Sequence, residues 1–273
     1  MSVLRLYPLP AEQTPLKGLY LSLNLHRQAA EGDMLIYSNY VASMDGRISL
    51  RDADSGQFIV PGAIANKRDW RLYQELAAQA DVMITSARYF RQLAQGQAQD
   101  LLPVGQGPDY ADLLDWRRDQ GMDVQPAIAI VSNSLDIPAA ALDMMYGRDI
   151  YVFTTEQADS TWIMALKHHG AHVIHAGDDE RVDGGVFKRQ LADLGFRSAY
   201  VIAGPQVHGT LIKAGALDRL FLTTHYTLLG GEEFHTMLQD ELTAPARLEL
   251  ISMYLDKEPD SQQMFTQYSL NRL

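Results

Sequence analysis

The stretch VASMDGRISL, residues 41–50, joins a predicted strand to a tight turn. The segment from Met34 to Val41 has the length and the β-branched and aromatic content of a buried strand. Asp45 and Gly46 then give a strong turn signal, because glycine tolerates positive φ and an aspartate side chain bonds nearby backbone. Two interpretations of Asp45 stay open at this point. It either shapes the turn alone or lies at the mouth of a cleft as a ligand or a proton-handling group.

Predicted strands and helices alternate along the chain after this turn. The strands are VMIT (82–85), AIAIVS (127–132), DIYVFT (149–154), AHVIHA (171–176) and AYVIAG (199–204). Helices are predicted over residues 66–79, 86–94, 110–118, 160–169, 186–194 and 206–214. Such alternation is typical of parallel strands whose crossover helices cover both faces of a sheet.

The last third of the chain has a different character. Strands with no helix between them are predicted at residues 217–229, 246–255 and 263–270. Such a run favours antiparallel strands at one edge of the sheet. The predicted fold class is therefore α/β, a mostly parallel doubly wound sheet with antiparallel C-terminal strands.

The domain organisation follows from the same pattern. Residues 34–273 are predicted to form one domain, and residues 1–33 an N-terminal arm that packs on it, with a helix over 18–28. The segment 96–125 is rich in Gly, Gln and Pro. Because long insertions in compact domains are often functional or mobile, we expect one of these roles for it.

Composition narrows the classes of function. The 273 residues carry 23 basic and 34 acidic side chains, a net charge of −11, which argues against a nucleic-acid partner. The absence of cysteine excludes disulfides, thiolate catalysis and cysteine-based zinc sites. No apolar stretch approaches the ~20 residues that span a bilayer, and no secretory signal is recognised. We expect a cytoplasmic protein with no membrane partner.

Small and polar residues follow the predicted strands. They include Thr85 and Ser86, Ser132, Thr154 and Gly204. Ligands of such sheets bind at the carboxyl ends of the strands, and Gly204 would let a phosphate approach the backbone at the start of a helix. Pro205 suits the first helical position. A nucleotide site and ordinary tight strand-to-helix turns both remain open, because the GxGxxG fingerprint is absent.

The histidines do not indicate a metal site. His168 and His169 are predicted to close a helix, where imidazole interacts well with the last carbonyls. His172 and His175 are predicted to lie on opposite faces of one strand, so they would not chelate one ion together. No metal ligand is therefore assigned.

Three segments together resemble a known family. They are ASMDGRI (42–48), ELAAQADVMITSARY (75–89) and AGPQVHGTLIKAGALDRLFLTTHYTLLGG (203–231). They are similar, in order and spacing, to motifs of the riboflavin-biosynthesis reductase domain, the RibD C-terminal family. That family shares the dihydrofolate-reductase fold, and the resemblance covers roughly residues 34–270.

The resemblance implies a reductase that transfers a hydride from NADPH to a pyrimidine-type small molecule. The first candidate substrate is 5-amino-6-(5-phosphoribosylamino)uracil. Asp45 would then be catalytic, and Asn39, Ser43 and Asn66 would bind substrate. Implied cofactor-binding residues are Ala42, Thr85, Ser86, Arg88, Ser132, Thr154, Ala203, Gly204, Pro205, Gln206 and Val207. Arg88 would either meet a 2′-phosphate or be a surface arginine on a helix, and a homodimer is expected by analogy.

Departures from the family pattern keep other functions open. Ala203-Gly204-Pro205 stands where the family has a Gly-Gly turn, and Ser86-Ala87-Arg88 replaces a turn richer in Gly and Thr. The Asp-Asp-Pro that normally follows is missing, and so is the family arginine expected near Leu76. The deaminase motifs of the companion domain are also missing. The alternatives are a dihydrofolate-reductase-like oxidoreductase acting on another heterocycle, and a nucleotide-binding protein without turnover.

Overall fold

Eleven strands form the central sheet in the computed structural model, which describes residues 1–98, 102–145, 147–178, 181–259 and 261–270. The strands of the chain are β1 (Ser2–Tyr7), β2 (Glu12–Pro15), β3 (Leu35–Ser43), β4 (Ser49–Arg51), β5 (Phe58–Ile59), β6 (Val82–Ser86), β7 (Ala127–Val131), β8 (Ile150–Thr154), β9 (His172–His175), β10 (Ser198–Val201), β11 (Arg219–His225), β12 (Phe234–His235), β13 (Leu248–Asp256) and β14 (Gln263–Leu270). The central order is β2-β1-β13-β14-β11-β3-β10-β6-β7-β8-β9. A second small sheet has the order β12-β4-β5.

The helices lie between the parallel strands. They are α1 (Lys67–Ala77), α2 (Ala87–Ala94), α3 (Ala111–Asp119), α4 (Ala139–Asp143), α5 (Ser160–His168), α6 (Gly184–Asp193) and α7 (Pro205–Lys213). Short 3-10 helices occur at Leu21–Leu23, Leu25–Arg27 and Pro108–Tyr110. The six helices predicted after residue 65 are confirmed with shifted ends, whereas α4 and the small sheet were not predicted.

Helices cover both faces of the parallel strands, which confirms the predicted fold class. Along β6, Met83 packs into a core cluster that contains residues of α1. Its neighbours Val82 and Ile84 point to the opposite face and pack with residues of α6 and α7. This alternation of neighbouring apolar side chains explains why the strand lacks a polar face.

The antiparallel part of the sheet extends from β11. This strand pairs in parallel with β3 on one side and antiparallel with β14 on the other, as expected. The strand β1 pairs with β13, and β2 pairs with β1, so the first residues of the chain continue the same sheet. These two strands were not predicted. The domain boundary at residue 33 stays a prediction.

Residues 16–28 pack on α1 without forming the predicted helix. Glu75 Oε1 accepts a hydrogen bond from the Gly18 amide at 2.6 Å, and Oε2 accepts one from the Tyr20 amide at 2.9 Å. Gln79 Oε1 accepts from the Leu25 amide at 2.9 Å. Two buried polar side chains, Glu75 of α1 and Gln79 just after it, therefore satisfy the irregular backbone that a continuous helix would have satisfied internally. The helix prediction over 18–28 is wrong for this reason.

The described part of the 96–125 insertion packs into the core. Val104 and Leu113 are fully buried beside α1. Arg117 Nη1 donates to the carbonyls of Ala78 and Ala80 at 2.9 and 2.7 Å, and burial lowers the pKa of Arg117 to about 10. Residues 99–101 lie outside the described part of the chain. The contacts of the described residues favour a structural role over mobility.

Candidate active site

A cavity of about 550 Å³ opens at the carboxyl ends of β3, β10 and β6. The chain crosses from β3 past β10 to β6, and after β9 it returns to form β10 between them. Crossover direction therefore reverses at this crevice, which is where open α/β sheets bind ligands. The sheet contributes Asn39, Tyr40 and Val41 from β3, Thr85 and Ser86 from β6, and residues 201–205.

The other walls come from two helices and the small sheet. The first half of α1 supplies Asp69, Trp70 and Tyr73, and α2 supplies Arg88, Tyr89 and Gln92. Ile48, Ser49, Phe58, Ile59 and His235 of the small-sheet region close the outer side. The rings of Phe58 and His235 stack at 3.8 Å, and those of Trp70 and Tyr73 at 4.6 Å. Flat aromatic walls of this kind suit a planar ring.

The start of α7 presents bare backbone to the cavity. Gly204 is the N-cap residue and Pro205 follows at the first helical position, with no side chain capping the helix. A Cβ added to Gly204 would meet no atom within 4 Å, so there is open space above this backbone. Gln206 and Val207 lie outside the cavity wall, and the Val207 side chain packs into the core. Their amides open the helix, where the dipole favours an anion.

The end of β6 runs directly into α2. Ser86 is the N-cap of α2 and makes no capping hydrogen bond with its side chain. Thr85 is fully buried, and its Oγ1 has no hydrogen-bond partner among the described residues. A buried hydroxyl left without a partner is costly, so a ligand that accepts or donates a hydrogen bond here would offset that cost. Both residues and Arg88 line the cavity as predicted.

Other predicted cofactor-binding residues lie away from the cavity wall. Ser132 directly follows the last residue of β7, and its Oγ accepts a hydrogen bond from the Leu135 amide at 3.0 Å. Thr154, at the end of β8, is fully buried, and its hydroxyl has no partner among the described residues. Ala42 is buried in β3, whereas Ala203 lines the cavity with Gly204. The cofactor roles of Ser132, Thr154 and Ala42 stay predictions.

Asp45 lies outside the cavity wall and fastens two loops together. It accepts hydrogen bonds from Ser43 Oγ at 2.5 Å, Arg47 Nη1 at 2.6 Å and the amides of Gly230 and Leu229 at 2.9 and 3.2 Å. The Ser43 hydroxyl and the Gly230 amide hold the pKa of Asp45 well below its usual range. A carboxylate with these contacts is a poor proton donor. These contacts favour the turn-shaping interpretation of Asp45. The catalytic role of Asp45 and the substrate-binding role of Ser43 stay predictions.

The two predicted substrate-binding asparagines both line the cavity but have structural partners. Asn66 is the N-cap of α1, and its Oδ1 accepts from the amides of Arg68 and Asp69 at 3.0 and 2.9 Å. Its Nδ2 donates to Gln263 Oε1 at 2.8 Å. Asn39 Oδ1 accepts a hydrogen bond from the Tyr200 hydroxyl. Asn39 therefore keeps its amide nitrogen for a ligand, whereas Asn66 holds the helix.

Asp69 is the acidic residue that the sequence reasoning missed. It lies in the first turn of α1, is 9% exposed and lines the cavity. Thr223 Oγ1 on β11 donates to its Oδ1 at 2.5 Å, and Oδ2 receives no hydrogen bond from the described residues. Burial raises the pKa of Asp69 to about 6, against the opposing effect of the Thr223 hydroxyl. A carboxyl that titrates near neutrality in a cleft is a candidate for proton transfer.

The fold and the crevice define an α/β protein with a candidate ligand site at a topological switch point. The chain belongs to the RibD C-terminal domain family, whose model matches residues 34–258. No curated protein matches it. The resemblance inferred from the sequence is thereby confirmed.

Solved structures show the same fold at low sequence identity. A pyrimidine reductase-like protein from Corynebacterium diphtheriae is 18% identical, with a TM-score of 0.69, over 95% of this chain and 100% of that one. RibD from Acinetobacter baumannii is 16% identical, with a TM-score of 0.61, over 88% of this chain and 58% of that one. The riboflavin biosynthesis reductase of Saccharomyces cerevisiae is 14% identical, with a TM-score of 0.57, over 93% and 99%.

The described residues contain neither a candidate membrane span nor a candidate metal cluster. No helix among them is long and apolar enough to cross a membrane. The described histidines and carboxylates form no group of three or more arranged to hold a metal ion. The predicted absence of a metal thus stays an expectation.

Proposed function

We propose that this protein is an NADPH-dependent reductase that transfers a hydride to a pyrimidine-type heterocycle. The first candidate substrate is 5-amino-6-(5-phosphoribosylamino)uracil. One observation carries the proposal: the buried Asp69 and the uncapped start of α7 face the same cavity at the switch point of the sheet. Family membership supports an oxidoreductase, and two of the similar solved structures are named as a pyrimidine reductase-like protein and a riboflavin biosynthesis reductase.

The residues around the crevice fit a dinucleotide. The open backbone at Gly204 and the first amides of α7 would hold a pyrophosphate, and the unpartnered Thr85 hydroxyl would meet a polar group of the cofactor. Bound NADPH supplies the hydride, which is cofactor chemistry. The apolar and aromatic walls would exclude water and hold a flat ring in place once substrate and cofactor fill the cavity.

Asp69 is the residue that would move a proton. Its Oδ1 is held by Thr223, so the carboxyl group has a fixed orientation, and Oδ2 accepts no hydrogen bond from the described residues in a side chain that lines the cavity. With a pKa of about 6, a substantial fraction of Asp69 is protonated just below neutral pH. The protonated form would donate to a ring nitrogen that gains electron density as the heterocycle is reduced.

A second candidate is reduction of a different conjugated or imine heterocycle. The end of α1, where the family arginine is missing, is filled by Leu76, Ala77 and Ala78, all fully buried. A side chain that binds a sugar phosphate is therefore absent from that turn. This observation favours a substrate that lacks the phosphoribosyl group, with the same cofactor and the same acid.

The first experiment measures thermal unfolding with NADPH, with NADH and without ligand. A ligand at ~100 times its Kd that binds only the native state stabilises it by about 2.7 kcal/mol. Loss of NADPH absorbance with the phosphoribosylamino-uracil then tests the first substrate. Binding without turnover of this or another heterocycle would identify a nucleotide-binding protein, and no binding of either dinucleotide would refute the reductase.

A homodimer is part of the same proposal. The outermost strand β2 is a short edge strand with exposed residues, and β9 ends the sheet on the other side. Association through either edge would protect unpaired backbone groups. Light scattering during size-exclusion chromatography gives the mass in solution.

A further inference from the structure

Two polar side chains of the small sheet line the cavity next to each other. Ser49 of β4 and His235 of β12 are directly opposite in the antiparallel pairing, and both belong to the cavity wall. Directly opposite residues point to the same face of a sheet, with their Cβ atoms about 5 Å apart. A hydroxyl and an imidazole therefore lie side by side at the outer side of the cavity. Neither residue was recognised as a site residue from the sequence.

Neither of these side chains has a hydrogen-bond partner among the described residues. The Ser49 hydroxyl forms no hydrogen bond although Ser49 is only 8% exposed, and the two ring nitrogens of His235 form none. The buried His208 instead uses both ring nitrogens, with Nδ1 against the Met237 carbonyl at 2.9 Å and Nε2 against Ser38 Oγ at 3.2 Å. Polar groups that folding removes from water without a partner cost free energy, so a ligand that pairs with them would offset that cost.

The imidazole of His235 is neutral at pH 7. Burial and, to a smaller extent, the positive charge of Arg88 lower the pKa of His235 below its usual 6.5. A neutral imidazole has one nitrogen that donates and one that accepts, and a hydroxyl can do both. Stacking on Phe58, with 3.8 Å between the ring centroids and 18° between the planes, fixes the orientation of the imidazole. The pair therefore offers a donor and an acceptor without a charge.

A donor beside an acceptor matches the edge of a cyclic amide. In a lactam or a ureide ring, a carbonyl oxygen that accepts lies next to an N–H that donates. The Ser49 hydroxyl would donate to the oxygen, and a ring nitrogen of His235 would accept from the N–H. A phosphate presents acceptor oxygens and favours charged donors, which Lys67 and Arg88 supply in the parts of the wall formed by α1 and α2. The chemistry of the small sheet thus suits the heterocycle and not a phosphate.

We propose that Ser49 and His235 together bind the amide edge of the substrate heterocycle and select rings in which that amide carries no substituent on its nitrogen. The inference rests on the proposed function, because it needs a substrate beside a bound dinucleotide. Ser49 and His235 are specificity-determining residues in this scheme, and neither the hydride nor the proton passes through them. Asp69 lines the cavity from α1, so the acid and the pair would meet the ring from different walls.

The test measures the binding of two probes by calorimetry. The protein is saturated with the oxidised dinucleotide that it binds, NADP⁺ or NAD⁺, so that no turnover occurs. One probe is 5,6-diaminouracil, and the other is 5,6-diamino-1,3-dimethyluracil, in which methyl groups replace both ring N–H donors. The variants are Ser49→Ala and His235→Phe, which keeps a flat ring to stack on Phe58. His172→Gln, at an exposed histidine outside the cavity wall, is the matched control.

We expect the wild type to bind 5,6-diaminouracil about 10-fold more tightly than its dimethyl derivative. Ser49→Ala and His235→Phe should each weaken the binding of 5,6-diaminouracil about 3- to 10-fold, the range for one lost hydrogen bond. The preference between the two probes should shrink in His235→Phe. His172→Gln should match the wild type, and the affinity for the dinucleotide should be unchanged in all three variants.

The outcomes separate the inference from the proposed function. If the wild type binds neither NADP⁺ nor NAD⁺, the proposed function fails and the inference fails with it. If a dinucleotide binds but the two probes bind equally or not at all, the inference is overturned while the dinucleotide site stands. Unchanged binding of 5,6-diaminouracil in either Ser49→Ala or His235→Phe, or equal weakening in His172→Gln, would also overturn it. Retained dinucleotide binding in each variant shows that weaker probe binding is not a loss of folding.

Discussion

Replacing Asp69 with asparagine separates stability from activity. The substitution keeps the shape of the side chain and leaves an oxygen to accept the Thr223 hydrogen bond. It removes a carboxylate that the fold has buried at 9% exposure without a cation to pair with it among the described residues. We therefore expect the variant to be more stable and less active than the wild type, as at sites where function opposes stability.

The size of the effect follows from the pKa of Asp69. Burial raises that pKa from 3.8 to about 6, which corresponds to about 3 kcal/mol of destabilisation where the carboxyl is ionised in both states. Because the pKa in the folded state is raised, this cost is absent below pH 3.8, grows between 3.8 and about 6 and is complete above that. Asp69→Asn should thus gain up to about 3 kcal/mol at pH 8 and about half of that at pH 5.

Urea denaturation of both proteins at pH 5 and pH 8 measures the free energy of unfolding. Asp119→Asn, at an exposed carboxyl of α3 outside the cavity wall, removes the same charge without burial and should show no such gain. In parallel, kcat of Asp69→Asn should fall about 10²- to 10⁴-fold, the usual contribution of a general acid, with cofactor binding retained. The wild-type fall in kcat above a pH of about 6 should disappear in the variant.

Two results would refute this reasoning. An Asp69→Asn gain that does not change between pH 5 and pH 8 would show that Asp69 is not a buried acid with a raised pKa. A stabilised variant with unchanged kcat would show that Asp69 titrates as described but moves no proton in the reaction. The proton would then come from water or from the substrate itself.

Three other substitutions test separate contacts. Thr223→Val removes the hydrogen-bond donor that lowers the pKa of Asp69, so the fall of kcat at high pH should move to higher pH. An unchanged pH profile would show that Thr223 does not influence the group that limits kcat. Glu75→Gln removes the charge of a fully buried carboxylate that binds Arg71 and the amides of Gly18, Tyr20 and Leu21. It should lower the free energy of unfolding measured in urea by about 3–5 kcal/mol and expose residues 16–28 to limited proteolysis; an uncut arm would contradict this. Asp45→Asn should lower Tm at neutral pH. Because the pKa of Asp45 is lowered on folding, the difference from the wild type should shrink as the pH falls below 3.8; a constant difference would argue against an ionised Asp45.

Local patterns along the sequence predicted the parallel strands and their helices. In strands such as β6 and β10 an apolar run turns directly into a helical spacing, so the information lies within about 20 residues of the chain. The strand β1 was missed because it pairs with β13, some 250 residues later, through contacts such as Leu4 opposite Leu255. Edge strands defined by such distant partners carry little local signal.

The burial of Asp69 in the cavity also could not be predicted from its neighbours in the sequence. An acidic residue in the first turn of a helix that begins at Asn66 is an ordinary capping pattern, and by itself it predicts a solvated surface. Its burial depends on Thr223, which is 154 residues away, and on the cavity that the fold creates around it. Arg88 was ambiguous for a similar reason, because the sequence does not tell whether a helical arginine has a partner.

The motif that first indicated the family has a structural role that explains its position. Asp45 binds the amides of Leu229 and Gly230, and Arg47 donates to the Gly231 carbonyl at 3.2 Å while its guanidinium lies 4.3 Å from the Phe234 ring. These contacts fix the loop that leads into β12, the strand that places His235 in the outer wall of the cavity. Since β4 and β5 also belong to that wall, the turn after β3 holds the small sheet in place at the outer side of the cavity. The turn signature therefore lies beside the candidate active site because its contacts hold one wall of the cavity in place.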